Sequence, residues 1–260
     1  MKIAFIGAGK MAEGILSAMP EPRNAVIAER LPERRAEIAA KYGVAAAASP
    51  AEAAAGASIV FLAVRPQDAE QAARETRSAL RKGQTVVSIV AGRKLAWLRK
   101  VFGPKPHLVR VMPNLALRSK AGMCALCAPR GTPPAAVEAV RRILAAAGET
   151  VVLKEKDFDA VTALSGSGPA YFAFMEEAMA EGGAALGLAP DVARLLARQT
   201  MYGTAKFLKE SGMETGPFVA GVCTKGGTTA AGMAKMARGA FKRIVAETLA
   251  AAAARSRELA

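Results

Sequence analysis

The sequence predicts an α/β domain built on a mostly parallel, Rossmann-like sheet, followed by an all-α domain through which two chains pair. Three observations carry that expectation. A glycine turn, Gly7-Ala8-Gly9-Lys10-Met11-Ala12, stands between an apolar strand and a helix. Short apolar runs then alternate with helical patterns up to residue 157. From residue 158 onward helical periodicity is the only pattern. Such alternation specifies parallel strands with helices on both faces of the sheet. The expected domains are therefore 1–157 and 158–260.

In order, strands are expected at residues 2–6, 25–28, 59–64, 85–89, 108–112, 123–128 and 151–153. Helices are expected between them at 11–19, 32–42, 50–55, 66–80, 95–102 and 134–147. In the second half, Gly168-Pro169 opens a helix, with proline at the first turn, where no N–H is missed. Phe172, Met175, Met179 and Leu186 follow at helical spacing. Val192, Leu195, Leu196, Gly203 and Phe207 mark another helix, and Phe241, Ile244, Val245, Thr248, Leu249 and Ala252 the last. About 100 residues in a few apolar helices make a thin core, so a second copy of the chain is the natural cover for the remaining surface.

The glycine turn is of the G-x-G-x-x-A type. Gly7 permits the tight turn, Gly9 lets the backbone approach a pyrophosphate, and Ala12 is small enough for close helix–strand packing. Lys10 and Met11 begin the helix, whose free N–H groups and positive dipole end suit phosphate.

Composition narrows the functional classes. The chain is 52% hydrophobic and 22% charged, and no stretch reaches the roughly 18 unbroken apolar residues of a membrane span. Lys10 and Glu13 interrupt the N-terminal apolar run, which argues against a signal peptide; a cytoplasmic protein is expected. Three cysteines argue against a disulfide framework. Cys124-x-x-Cys127 falls in an apparent strand, where residues three apart face opposite sides, so a redox pair is not expected. The single histidine, His107, has no ligand cluster near it, and no metal is expected. The net charge of +14 is spread in ones and twos with only 5% aromatics. That pattern describes a solvated surface attracting small anions rather than a nucleic-acid site.

Four later segments end strands or open helices: Val64-Arg65-Pro66, Ala91-Gly92, Pro113-Asn114 and Gly226-Gly227-Thr228-Thr229. In the last, two glycines free backbone N–H groups to point at an anion and two hydroxyls add donors, a combination suited to a carboxylate or phosphate.

Together with IGAGKMAEG (6–14), LAVRPQD (62–68), SIVAG (88–92), VRVMPN (109–114), DAVTALSGSGPAYFAF (159–174), KGGTTAAGM (225–233) and RSREL (255–259), these segments resemble the pyrroline-5-carboxylate reductase family. The resemblance implies reduction of 1-pyrroline-5-carboxylate to L-proline by a reduced nicotinamide cofactor. It also implies a helical domain interlocking two subunits, as a homodimer or within a larger ring up to a decamer. Substrate contacts would fall on Val222, Thr224, Gly226, Gly227, Thr228 and Thr229; Glu210 and Glu214 both lie near the family's acidic residue beside the imine nitrogen, at a different spacing, and Glu214 is taken for it. Cofactor contacts on the nicotinamide side would fall on Val64, Arg65, Pro66, Ala91, Gly92 and Asn114. The family usually reads MPNT followed by proline and small residues; this chain has Leu115-Ala116-Leu117-Arg118 instead.

Imine reduction needs a hydride donor, a clamp and exclusion of water, but neither a nucleophile nor a metal. The nitrogen can arrive protonated or take its proton from Thr229 or a bound water. Three rivals stand beside this reading. The hydroxyacid dehydrogenases need a catalytic lysine and an asparagine where, counted from Gly166 and Gly168, this chain has Tyr171 and Met175. Reduction of another cyclic imine is left open by Leu115. A non-enzymatic dinucleotide-binding regulator would be expected to lose the Gly226–Thr229 clamp.

The cofactor signals are mixed. Glu29 after the second strand suits a ribose 2′-OH and hence NADH, whereas Arg30 suits a 2′-phosphate and hence NADPH. Arg34 and Arg35 add positive potential, and the resemblance points the same way. The expectation is use of both cofactors with a preference for NADPH.

Overall fold

A computed structural model describes residues Met1–Leu259. The chain divides into two compact units, Met1–Ser167 together with the residues from Ala252 on, and Gly168–Ala251. In the first, β1 (Ile3–Ile6), β2 (Ala25–Ala28), β3 (Ala45–Ala46), β4 (Ile59–Leu62), β5 (Thr85–Ser88), β6 (His107–Pro113), β7 (Gly122–Cys127) and β8 (Gly148–Val152) form one sheet. Its order is β3-β2-β1-β4-β5-β6-β7-β8, and every neighbouring pair is parallel except β6 and β7.

Helices α1 (Lys10–Ala18), α2 (Pro32–Tyr42), α3 (Pro50–Ala55), α4 (Ala69–Arg77), α5 (Leu95–Phe102) and α6 (Pro134–Ala145) connect the strands. Each face of the sheet has its own apolar layer. Ile3 and Phe5 of β1 join one with Ile15 and Leu16, while Ala4 and Ile6 join the other with Leu62 and Leu98. A strand covered on both faces must be apolar at every position, which is why β1 shows no alternation. Phe5 stacks on Phe61 of the neighbouring strand, ring centres 4.8 Å apart.

Three local expectations shift. β3 is two residues long and too short to leave a periodic signal. The strand expected at 59–64 ends at Leu62, and the helix expected at 66–80 begins at Ala69. Between them a turn closes through Asp68 N–H to Arg65 C=O at 3.0 Å. β8 starts at Gly148, before the expected residue 151, where φ is 144° and the Gly122 backbone leaves no room for a side chain.

The chain builds β1, β2 and β3 to one side, then crosses back to place β4 on the other side of β1. The carboxyl ends of β1 and β4 therefore flank the reversal point, the crevice where open α/β sheets bind ligands.

Past β8, α7 (Phe158–Val161) runs into a wide turn at Thr162–Gly166. The second unit then contains α8 (Gly168–Ala185), α9 (Pro190–Ser211), α10 (Thr215–Val222), α11 (Thr228–Arg238) and most of α12 (Phe241–Glu258). α8 and α9 approach closely because the contact is made of small residues: Ala180, Ala193 and Ala197 are buried, and Gly183 faces Ala193. Beyond these the unit has little core. Leu186 is 89% exposed, Phe174 72% and Phe172 65%. Apolar area on that scale marks an association surface. Among the described residues, no helix is long and apolar enough to cross a membrane.

Candidate active site

At the carboxyl end of β1 the backbone turns sharply. Gly7 has φ 93°, its N–H bonds Ala28 C=O at 2.8 Å, and a Cβ there would lie 2.6 Å from the Ala63 carbonyl oxygen. Gly9 has ordinary dihedrals, yet a Cβ on it would meet nothing within 4 Å. It precedes α1 with no side-chain cap, so the first N–H groups of that helix stay available. The two glycines thus differ in purpose: Gly7 is required by the fold, and Gly9 leaves space free.

A cleft of about 520 Å³ opens beside this loop, lined in part by Gly7, Gly9, Glu29, Arg30, Val64 and Arg65. Its shape and chemistry fit a dinucleotide: open N–H groups at a helix start for phosphate, and one acidic and several basic groups beside them. Ala12 is fully buried and can offer only backbone to a ligand, while Met11 is partly buried against the core. Lys10, Met11, Ala12, Pro66, Ala91, Gly92 and Asn114 are not part of the cleft lining.

Glu29 and Arg34 are already engaged within the protein. Glu29 accepts Ala8 N–H at 2.8 Å and Leu31 N–H at 3.0 Å. Arg34 donates from Nε to Ala8 C=O at 2.9 Å, from Nη1 to Glu37 at 2.8 Å and from Nη2 to Glu13 at 2.7 Å. Each of the three guanidinium nitrogens of Arg34 thus has a partner within the protein. Arg30 is exposed on the cleft and unpaired among the described residues. Arg35 also borders the cleft, with only a long 3.5 Å contact to the Glu29 carbonyl.

Glu13 was legible only as an interruption of an apolar run; the structure gives it a larger part. Its residue is 7% exposed, and its carboxylate accepts from Lys41 at 2.8 Å, Arg34 at 2.7 Å and Tyr42 at 3.1 Å. Lys41 and then Arg34 hold its pKa down from 4.5 to about 2. The signal available in the sequence was a carboxylate on the buried face of an amphipathic helix, a placement that demands a cationic partner.

The ends of β4, β5 and β6 lie along one edge because these strands are parallel neighbours. Arg93, after Ala91-Gly92, reaches across to the Pro66 carbonyl at 3.2 Å. Gly92 turns with φ 74°. Asn114 at the end of β6 is a bracket: Oδ1 accepts Met123 N–H at 3.1 Å and Nδ2 donates to Ser165 Oγ at 3.4 Å. It thereby ties the LSGSG turn to the sheet edge. The departure at Leu115–Arg118 forms a short turn of helix in which Leu117 is buried against α1, in space left open by Gly14.

In the second unit, Val222 ends α10 and Thr228 begins α11. Between them Gly227 N–H bonds Thr224 C=O at 3.0 Å, and Gly226 turns with φ 75°. Gly227 caps α11 without a side-chain bond, so the N–H groups of Thr228 and Thr229 are open at a positive helix end. Val222, Thr224, Gly226, Gly227, Thr228 and Thr229 thus share one loop. Glu214 is exposed at the opposite end of α10, a helix length of about 12 Å away by rise per residue. Within this unit it is not brought to the loop.

Cys124 and Cys127 are buried in different apolar clusters, and burial pushes their thiols up to about 11 and about 12. They cannot act as thiolates near neutral pH. His107 begins β6, an interior strand of the sheet. Among the described residues no group of three metal-ligating side chains occurs. Buried Arg110 pairs with Glu155 at 3.0 Å, packs over Phe158 at 4.7 Å, and went unnoticed because a lone arginine in a strand leaves no pattern.

A parallel sheet with a glycine loop at its reversal point, joined to an exposed-apolar helical unit, defines a Rossmann-type dinucleotide-binding protein that associates through helices. Comparison with known proteins narrows the class. The family described as pyrroline-5-carboxylate reductase dimerisation matches residues 155–259, and one described as NADP oxidoreductase, coenzyme F420-dependent, matches residues 2–92. The pyrroline-5-carboxylate reductase of Arabidopsis thaliana is 35% identical over 99% of this chain and 95% of its own. A pyrroline-5-carboxylate reductase structure from Coxiella burnetii superposes with TM-score 0.95 at 28% identity, covering 100% of this chain and 98% of the other. The Plasmodium falciparum structure with NADP bound gives 0.87 at 26%, with the same coverage. The chain belongs to the pyrroline-5-carboxylate reductase family.

Proposed function

We propose that the chain reduces 1-pyrroline-5-carboxylate to L-proline with a reduced nicotinamide dinucleotide held at the Gly7–Ala12 loop. The observation that supports this most is the loop at 224–229, whose open helix start offers N–H and hydroxyl donors to a carboxylate. Family membership supplies the substrate. When bound, the cofactor supplies the hydride. The chain's residues do the rest: Gly226, Gly227 and Thr228 grip the carboxylate, and Thr229 or a water it orients delivers the proton to the ring nitrogen. Catalysis is then chiefly positioning.

Purified protein should oxidise the reduced cofactor with pyrroline-5-carboxylate. Activity with a six-membered piperideine carboxylate alone would replace the substrate with its ring homologue. Binding of the dinucleotide without turnover of either imine would favour a regulator. Thr229→Ala is expected to lower turnover about tenfold or more, in keeping with loss of a positioned proton-transfer group, while dinucleotide affinity stays unchanged. Gly227→Val should abolish turnover, for a reason the structure supplies: the new Cβ would run into Thr224 Oγ1 and deform the loop. Loss of cofactor affinity in either variant, with substrate kinetics unaltered, would contradict the assignment.

Both NADPH and NADH are accepted in this reading, with NADPH preferred. Arg30, unpaired among the described residues, and lightly held Arg35 carry the preference, since the Glu29 carboxylate is occupied by two N–H donors. Arg30→Ala should raise the KM for NADPH more than that for NADH; equal effects would remove Arg30 from the 2′-phosphate.

The protein is a homo-oligomer in which helices of the second unit pair two chains, alone or as the repeating unit of a ring up to a decamer, and it acts in the cytoplasm. A monomeric mass at micromolar concentration would refute the pairing.

A further inference from the structure

Ala8 is held from both sides of its own backbone. Its N–H donates to Glu29 at 2.8 Å, and its carbonyl accepts Arg34 Nε at 2.9 Å. In a planar trans peptide, the Ala8 C=O and the Gly9 N–H point in opposite directions. Fixing the carbonyl on Arg34 therefore fixes where the Gly9 N–H points. That N–H has no acceptor among the described residues, and a Cβ built on Gly9 would meet nothing within 4 Å. Arg34 in turn cannot swing freely, because Glu13 and Glu37 take its other two nitrogens. Glu13 is itself held by Lys41 and Tyr42 at the far end of α2.

We infer that Arg34, oriented by Glu13, is a positioning residue that aims the Gly9 N–H at the pyrophosphate, and is not a ligand of the 2′-phosphate. The inference rests on the dinucleotide reading of the cleft. Arg34 borders the cleft, so a direct phosphate contact is the competing role; Glu13 is not among the cleft-lining residues and cannot touch the ligand there.

The two roles separate by equilibrium binding. Dissociation constants for NADPH and NADH are measured for the wild type, R34K, E13Q and E37Q, after thermal melts establish that each variant folds. A lysine keeps the charge but has one nitrogen, which cannot serve Glu13 and the Ala8 carbonyl together. R34K is expected to weaken both cofactors by a similar factor of about ten, the loss of one hydrogen bond to a positioned group. E13Q is expected to weaken both by a smaller but equal factor, and E37Q, which removes only an exposed charge and keeps an oxygen to accept Arg34 Nη1, to bind as the wild type. Amide exchange at residues 7–9 should quicken in R34K and E13Q. Wild-type affinity in R34K and E13Q, or loss of NADPH binding alone in R34K, overturns the positioning role. If R34K does not fold, E13Q with its exchange rates decides by the same criteria. A wild type that binds neither dinucleotide overturns the cofactor reading itself, and the positioning role with it.

Discussion

Gly9→Val is expected to leave the fold standing and remove dinucleotide binding, whereas Gly7→Val is expected to damage the fold itself. Gly9 has φ −71°, a value any residue adopts, and its missing Cβ points into open space. Added bulk there harms nothing in the free protein but occupies the approach of a pyrophosphate. A loss of about a hundredfold in affinity, about 2.7 kcal/mol, is expected, with a melting temperature close to that of the wild type. Gly7 is the opposite case. Its φ of 93° disfavours any side chain, and the new atoms would press on the Ala63 carbonyl, backbone of the adjacent strand's end. The strained dihedral costs about 1–2 kcal/mol and the overlap a further 1–3 kcal/mol. Urea unfolding would register this. A Gly7→Val protein of wild-type stability would show that the turn is not required as described. Full affinity in Gly9→Val would move the dinucleotide away from this loop.

Glu13 should make the protein's acid stability depend on one carboxylate. Its native pKa of about 2 lies below the ordinary 4.5. A group depressed in this way contributes stability in full above the unfolded value, and the contribution is lost as pH falls through the native value. The window is therefore pH 4.5 down to about 2, and the span corresponds to a contribution on the order of 3 kcal/mol. Glu13→Gln should be less stable than the wild type by about 2–3 kcal/mol at pH 7, with the gap closing steadily below pH 4.5. The comparison isolates Glu13, because the two proteins differ at that side chain alone. A gap that stays constant from pH 7 to pH 2 would mean that Glu13 matters for packing and not for its charge.

How much of this was legible follows from what each kind of signal needs. The glycine turn, the strand alternation and the change to helices at the second half are local patterns, and the structure reproduces their order. The loop at 224–229 was readable for the same reason: glycines beside hydroxyls at a helix start are a contiguous feature. β3 was not readable, since two residues cannot show a period. Nor was the engagement of Arg34, which depends on Ala8, Glu13 and Glu37 meeting it from three directions. Nor was the bracket formed by Asn114, whose side chain joins the sheet edge to Ser165, 51 residues on.

By itself the sequence determined the fold class, the family, the glycine turn at Gly7–Ala12 and the glycine–hydroxyl loop at Gly226–Thr229. These rest on backbone conformations and short-range periodicities that each segment carries in its own residues. Only the tertiary structure decided which charged groups near the cradle remain free. Glu29 and Arg34 are absorbed by the loop they surround, and Arg30 is left without a partner among the described residues at the cleft. Pairing among charges depends on distances and angles between segments far apart in the chain, which the order of residues alone does not specify.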